Sequence, residues 1–310
     1  MPQCTIAKGN AMHPSANTRS TPGRLARTAG TLALLALAAV IPPAQAAEEL
    51  FAVTTSNTLV NFNSSAPWFF SSRPITGMQP GENALGIDFR PALPLGRLYV
   101  VGSTGRLYRI DDPFSGVATL VTTTPFALPS GNFGVDFNPT VDRIRVVSDT
   151  DQNIRLHPDT GNLAATDPAL AYAVADPNAA ANPAATGAAY TNSVPGASST
   201  LLYDIDSDLD ILVTQNPANN GTLNTVGGLG LNANGVNGFD ISGYTGTAYA
   251  VLNTGGPQSN LYTINLATGA ATDLGLVGCQ EPLRGLSVYR ELPLPVQGTT
   301  WSRIKNLHGD

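Results

Sequence analysis

Three aspartates recur at one place in a repeated phrase: Asp88 in Gly86-Ile87-Asp88-Phe89, Asp136 in Gly134-Val135-Asp136-Phe137 and Asp240 in Gly238-Phe239-Asp240-Ile241. Carboxylates brought face to face are the equipment of glycoside hydrolysis, one as acid and the other as nucleophile or base. Asp88, Asp136 and Asp240 are therefore the candidate catalytic residues. An aspartate repeated at equivalent positions also suits a plainer task, accepting backbone N–H groups, because catalytic carboxylates have unlike roles and need unlike surroundings. Other chemistries have little to draw on. His157 is the only histidine between residues 50 and 289, no Gly-x-Ser-x-Gly elbow occurs, and zinc sites need several His or Cys.

Three further groups of residues could bind rather than react. Asp149-Thr150-Asp151-Gln152-Asn153 alternates oxygen ligands as the opening of a calcium loop does, so Asp149, Asp151 and Asn153 are candidate ligands for a structural cation such as calcium. Ile154 at the sixth position and Thr160 at the twelfth exclude an EF-hand. No other cofactor is expected. Arg143, Arg145 and Arg155 fall on adjacent strands of one hairpin beside Asp142, Asp149 and Asp151. They either pair internally or, facing outward, grip a carboxylate or sulfate bidentately. In Trp68-Phe69-Phe70 strand alternation buries only every second ring, which leaves at least one ring exposed or under a loop and makes Trp68 a binding candidate. The acidic run from Asp204 to Asp210 reads as a hairpin turn with Asp at its corners.

The elements that position these residues follow from composition and repetition. With 31 Gly, 24 Pro and only 12% charged residues, helix-rich, coiled-coil and disordered chains are excluded and an all-β fold remains. The glycine that opens the phrase recurs at 86, 134, 187, 238 and 285, in steps of 48, 53, 51 and 47 residues. After it come strand-like runs such as Leu98-Tyr99-Val100-Val101 and Leu107-Tyr108-Arg109-Ile110, then a turn ending at Gly116, Gly161, Gly221 or Gly269, where a positive φ is needed. Four antiparallel strands per roughly 50 residues mark a propeller blade.

The last unit stops after its first strand, Leu283 to Tyr289, while Leu50 to Phe70 supplies the three strands it lacks. The fold class expected is thus all-β: a five-bladed β-propeller over residues 47–290, built of four-stranded antiparallel blades and closed by strands from both ends. A sixth, degenerate blade in residues 163–185 and a β-sandwich are the alternatives. The Ala and Pro content of 163–185 favours a loop with a helical turn, and a sandwich gives no reason for the period.

With the repeats laid out, Gly86 to Pro91, Gly96 to Tyr108 and Asp142 to Thr150 resemble a bacterial family of exported domains with no assigned function, and Tyr190-Thr191-Asn192-Ser193 and Leu212 to Pro217 match it too. The similarity spans about residues 50–289. It implies export and a repeated β-fold, and it implies no activity.

Export is also read from the first residues. Thr31 to Ile41 is an apolar run behind a basic segment and ahead of Ala44-Gln45-Ala46, the pattern of a secretory signal cut near Ala46. The mature chain is then secreted or periplasmic, without a membrane span, with Cys279 alone and a flexible tail over 291–310. Its 12 basic against 22 acidic side chains exclude nucleic acid as a partner. The expected function is an exported, monomeric, non-enzymatic binding or scaffolding module recognising a glycan, peptide or envelope component; the alternative is a polysaccharide hydrolase or lyase using channel-lining carboxylates.

Overall fold

The computed structural model describes residues 47–93, 97–129 and 131–289, so the expected signal and tail lie outside the described residues. Strands β1 (Glu49–Thr54), β2 (Thr58–Asn63) and β3 (Ala66–Pro74) open the chain. The second blade is β4 (Ala84–Phe89), β5 (Leu98–Gly102), β6 (Arg106–Ile110) and β7 (Ala118–Leu120). The third is β8 (Phe133–Asn138), β9 (Arg143–Ser148), β10 (Asn153–Leu156) and β11 (Leu163–Thr166). The fourth holds β12 (Ala171–Tyr172), β13 (Ala185–Tyr190), β14 (Leu202–Asp206), β15 (Ile211–Gln215) and β16 (Thr222–Gly228); the fifth is β17 (Asn237–Ile241), β18 (Ala248–Leu252), β19 (Asn260–Ile264) and β20 (Ala271–Leu276). Strand β21 (Leu283–Val288) then returns to β1.

The ring closes as the sequence predicts. β21 pairs antiparallel with β1, setting Leu286 opposite Ala52 and Ser287 opposite Phe51, and the order β21-β1-β2-β3 completes the closing blade. Five sheets result, and the molecule is a five-bladed β-propeller. The turn glycines Gly116, Gly161, Gly221 and Gly269 all carry positive φ. No described helix is long and apolar enough to cross a membrane.

Residues 163–185 differ from the expected loop. Leu163–Thr166 is the fourth strand of the third blade, and Ala171–Tyr172 adds a fifth, parallel strand beside β16. Burial explains the addition: Leu170 and Tyr172 sit in the core between the third and fourth blades, and the Tyr172 hydroxyl donates to Asp206 at 2.5 Å.

Each blade is sandwiched between two others, so inner and middle strands bury both faces and lose the half-buried alternation; every residue of β4 and β5 is buried. Phe51, Ile87, Phe89 and Tyr108 fill the seam between the closing and second blades, and Tyr99, Leu107, Phe137 and Val146 the next one. The innermost strands β4, β8, β13, β17 and β21 lie against one another around the axis, and their glycines explain the repeated phrase. A Cβ on Gly134 would stand 2.7 Å from the Ala188 nitrogen, and one on Gly238 2.4 Å from the Gly285 carbonyl carbon. The strands approach so closely there that only a gap of about 10 Å³ is left among them.

Candidate functional site

Two residues beyond each glycine, the inner strands carry Asp88, Asp136, Ala189, Asp240 and Ser287. The three carboxylates do converge: one oxygen of each lies within 4.8 Å of the others. They are not open to a channel, being 2%, 1% and 4% exposed. Each reaches across to the next blade. Asp88 accepts the Phe137 N–H at 2.7 Å, Asp136 the Tyr190 N–H at 2.8 Å, Asp240 the Val288 N–H at 2.6 Å and the Ser287 hydroxyl the Phe89 N–H at 3.1 Å. In each case the donor is the residue that follows the neighbouring blade's own ring position.

Four of five seams are therefore stapled, and Ala189 is the missing link. The Ile241 N–H that an acceptor at position 189 would take turns back to Asp240 Oδ1 at 2.6 Å. Ala189→Ser should close the circle as Ser287 does, adding about 0.5–1.5 kcal/mol of stability for one hydrogen bond. A urea midpoint equal to or below that of the native chain would show that the fifth seam cannot use the acceptor.

Burial without cations raises all three carboxyls. Desolvation and the charge of Asp240 push Asp88 well above its usual range, although Ser287 and Phe137 oppose this. Asp136 rises for the same reason, with Asp88 and Asp240 adding repulsion. Asp240, held down by Val288 and Ile241, rises to about 6. Asp88 and Asp136 also lie close enough to interact directly, which disfavours ionising both. Three hard oxygens at this spacing also have the chemistry of a site for a calcium-like ion.

The cluster sits beneath a small pocket of about 20 Å³, little more than room for a water, on the face where the inner strands end. Phe89, Arg90, Ser193, Tyr244 and Tyr289 line it, with Asp88 and Asp240 at its base. Arg90 was not singled out by the sequence. It is buried and bidentate to Asp142, with Asp159 at 2.6 Å and the Tyr99 hydroxyl at 3.3 Å. The only signal for it was its place in the repeated phrase, two residues after Asp88.

The other sequence candidates are dispersed. Arg145 and Arg155 face each other across β9 and β10 and share Asp167, at 2.5 and 2.7 Å, rather than Asp149 or Asp151. Arg143 turns to the backbone carbonyls of Val141 and Asp142. Asp149 accepts the Asn132 backbone N–H, Asp151 faces Asn182, and Asn153 points inward to Arg145 and Pro168, so these three do not converge. Trp68, Phe69 and Phe70 are all exposed, at 57%, 77% and 41%, because β3 is the outermost strand of its blade. Cys279 is buried, and burial raises its thiol. Asp206 ends β14 and its Oδ1 accepts the Asp208 and Leu209 N–H groups of the hairpin turn, as expected of a turn corner, whereas Asp204 is a buried residue within the strand; desolvation pushes Asp204 up to about 8 against the pull of Arg145.

Among solved structures the chain is similar to a glutaminyl cyclase of Myxococcus xanthus at 11% identity, covering 70% of this chain and 95% of that one, with a TM-score of 0.43. It is also similar to PorZ, a bacterial surface component of the type-IX secretion system of Porphyromonas gingivalis, at 16% identity over 73% of this chain and 26% of that one, TM-score 0.35. YCF48 bound to D1 peptide matches at 11% identity over 74% and 64% of the two chains, TM-score 0.36. No function is transferred from likenesses of this size. No curated protein matches the chain. The specific match is to a family: residues 58–287, which contain the whole axial ring, fit the Domain of unknown function (DUF4394), and the chain belongs to that family.

Proposed function

We propose that the chain is an exported, non-enzymatic binding or scaffolding module, acting as a monomer outside the cytoplasm, that recognises a glycan, peptide or envelope component on the face where the axial pocket opens. The observation that carries this reading is the use made of the carboxylates. Asp88, Asp136 and Asp240 are almost wholly buried and each accepts a backbone N–H of the adjacent blade, which suits closing a ring better than attacking a substrate. The rigid blades then serve to hold variable loops in place. Absence of Lys between Gly9 and Thr300 disfavours phosphate-rich partners.

The second reading, a polysaccharide hydrolase or lyase, rests on the close approach of the carboxylates and on the pocket above Asp88 and Asp240; a pair of carboxyls about 5 Å apart is the spacing of retaining glycosidases. Chromatography of neutral and acidic polysaccharides after incubation with the mature chain decides between them. The expected result is retention of the ligand without shorter products. Products that vanish in Asp240→Asn, with its unfolding midpoint unchanged, would establish the enzyme instead.

A further inference from the structure

The same face of the ring carries a second concavity, between the third and fourth blades. Its volume is about 370 Å³, toward the lower end of the roughly 300–1,000 Å³ typical of small-molecule sites. Its walls are Asn138 and Thr140 from the turn after β8, Ser199 and Thr200 from the loop after β13, and Asn216 and Asn219 after β15. Buried Tyr190 and Gln215 form its floor. No lining side chain carries a charge. We propose that this groove is a saccharide-binding subsite that takes an uncharged sugar chain.

The floor holds the strongest sign of a missing partner. Gln215 is 1% exposed, and its Oε1 is buried with no hydrogen-bond donor. A flip of the amide does not cure this. Gln215 Nε2 donates to the Ala218 carbonyl at 2.6 Å and to Asn153 Oδ1 at 3.2 Å, and Asn153 Oδ1 is fixed as an acceptor because Arg145 donates to it at 2.6 Å. The amide oxygen is thus held in place as an acceptor just beneath the groove surface, and buried acceptors without donors are rare unless a ligand, water or ion supplies one.

Arg145 prepares the donor side of the groove as well. It donates to Asn219 Oδ1 at 2.6 Å and to the Tyr190 hydroxyl at 3.2 Å, which leaves the Asn219 Nδ2 as the donor end of that amide. A fixed acceptor and an oriented donor among hydroxyls and amides are what neighbouring hydroxyl groups of a sugar ring need, since each is both donor and acceptor. An anionic ligand would meet no cation in the lining, and a cationic one no carboxylate. Arg145 itself is screened behind the floor and already paired with Asp167. Supporting a site's polar groups from behind in this way is how binding geometry is kept rigid.

The proposal rests on the chain being a recognition module and specifies its ligand class. The test is titration of the mature chain, residues 47–310, with cellohexaose, maltohexaose, chitohexaose and an oligogalacturonate, read by calorimetry and saturation-transfer NMR. At least one neutral hexasaccharide should bind. Thr140→Trp, which fills the groove from an exposed turn, and Gln215→Met, which removes the acceptor, should each weaken it at least tenfold. Val174→Ser, on an exposed position beside β12, should change affinity less than twofold. Unfolding midpoints measured alongside keep Thr140→Trp decisive if Gln215→Met folds poorly. The proposal is overturned if no neutral probe binds, if only the oligogalacturonate binds, or if Thr140→Trp leaves affinity within twofold. Chromatography of the same samples separates it from the broader reading: shortened probes would overturn the absence of catalysis, whereas binding indifferent to the groove overturns this inference alone.

Discussion

Gly238→Ala should lower the urea and thermal midpoints of the propeller further than any single deletion of a surface contact. The added methyl would lie 2.4 Å from the Gly285 carbonyl carbon and 2.5 Å from the Leu286 nitrogen, both backbone atoms of the neighbouring inner strand. Neither can rotate away, so β17 or β21 has to shift, and β21 is the strand that joins the two ends of the ring. Overpacking of this kind costs about 3 kcal/mol, which for a domain of this size is roughly 6–12 °C in Tm. Gly228→Ala is the matched control, since its methyl would meet only the Gly230 nitrogen, at 4.0 Å, and it should leave the midpoint within about 0.5 kcal/mol. Equal midpoints for the two variants would mean that the inner strands are less tightly packed than the glycine spacing indicates.

That prediction also shows what the sequence could and could not say. The period, the shared blade and its closure by strands from both ends were legible because turn glycines and β-branched runs are local signals, and circular closure follows once a first strand stands alone at one end. The equivalence of Asp88, Asp136 and Asp240 was legible for the same reason. Their burial was not. It depends on how closely five inner strands pack around the axis, and a period of about 50 residues says nothing of that distance. Partners across long loops were hidden too: Asp167 holds Arg145 and Arg155 from beyond the following turn, while nearer aspartates were the obvious choice. The three exposed rings of β3 defied alternation because an outermost strand has no sheet covering either face. Gln215 and Tyr190 were marked only as parts of resembling motifs, and their joint place in one groove arises from blade-to-blade contact alone.

The stability of the propeller should fall as pH rises from about 5 to 9, opposite to the usual behaviour of carboxylates paired with cations. Burial raises Asp240 from 3.8 to about 6 in the folded chain, raises Asp88 and Asp136 as well, and lifts Asp204 to about 8. Below about pH 4 these groups are protonated whether the chain is folded or not, and they leave stability unchanged. Above it the unfolded chain releases protons that the folded chain keeps, so unfolding gains until the pH passes each folded value. At about 1.4 kcal/mol per unit, the Asp240 shift alone removes about 3 kcal/mol by neutral pH. Asp159, Asp176 and Glu281 are lowered instead, and their contribution is lost only as pH falls below about 4 through their folded values, which places the optimum in mild acid. Asp136→Asn isolates the axial term: an amide can still accept the Tyr190 N–H through Oδ1 while its Nδ2 carries no charge to repel Asp88 and Asp240. Its urea midpoint should exceed that of the native chain at pH 8 and change less between pH 5 and 8. A native chain that is more stable at pH 8 than at pH 5, and that gains further stability from calcium only while Asp136 is present, would mean that the three carboxyls are ionised around a cation.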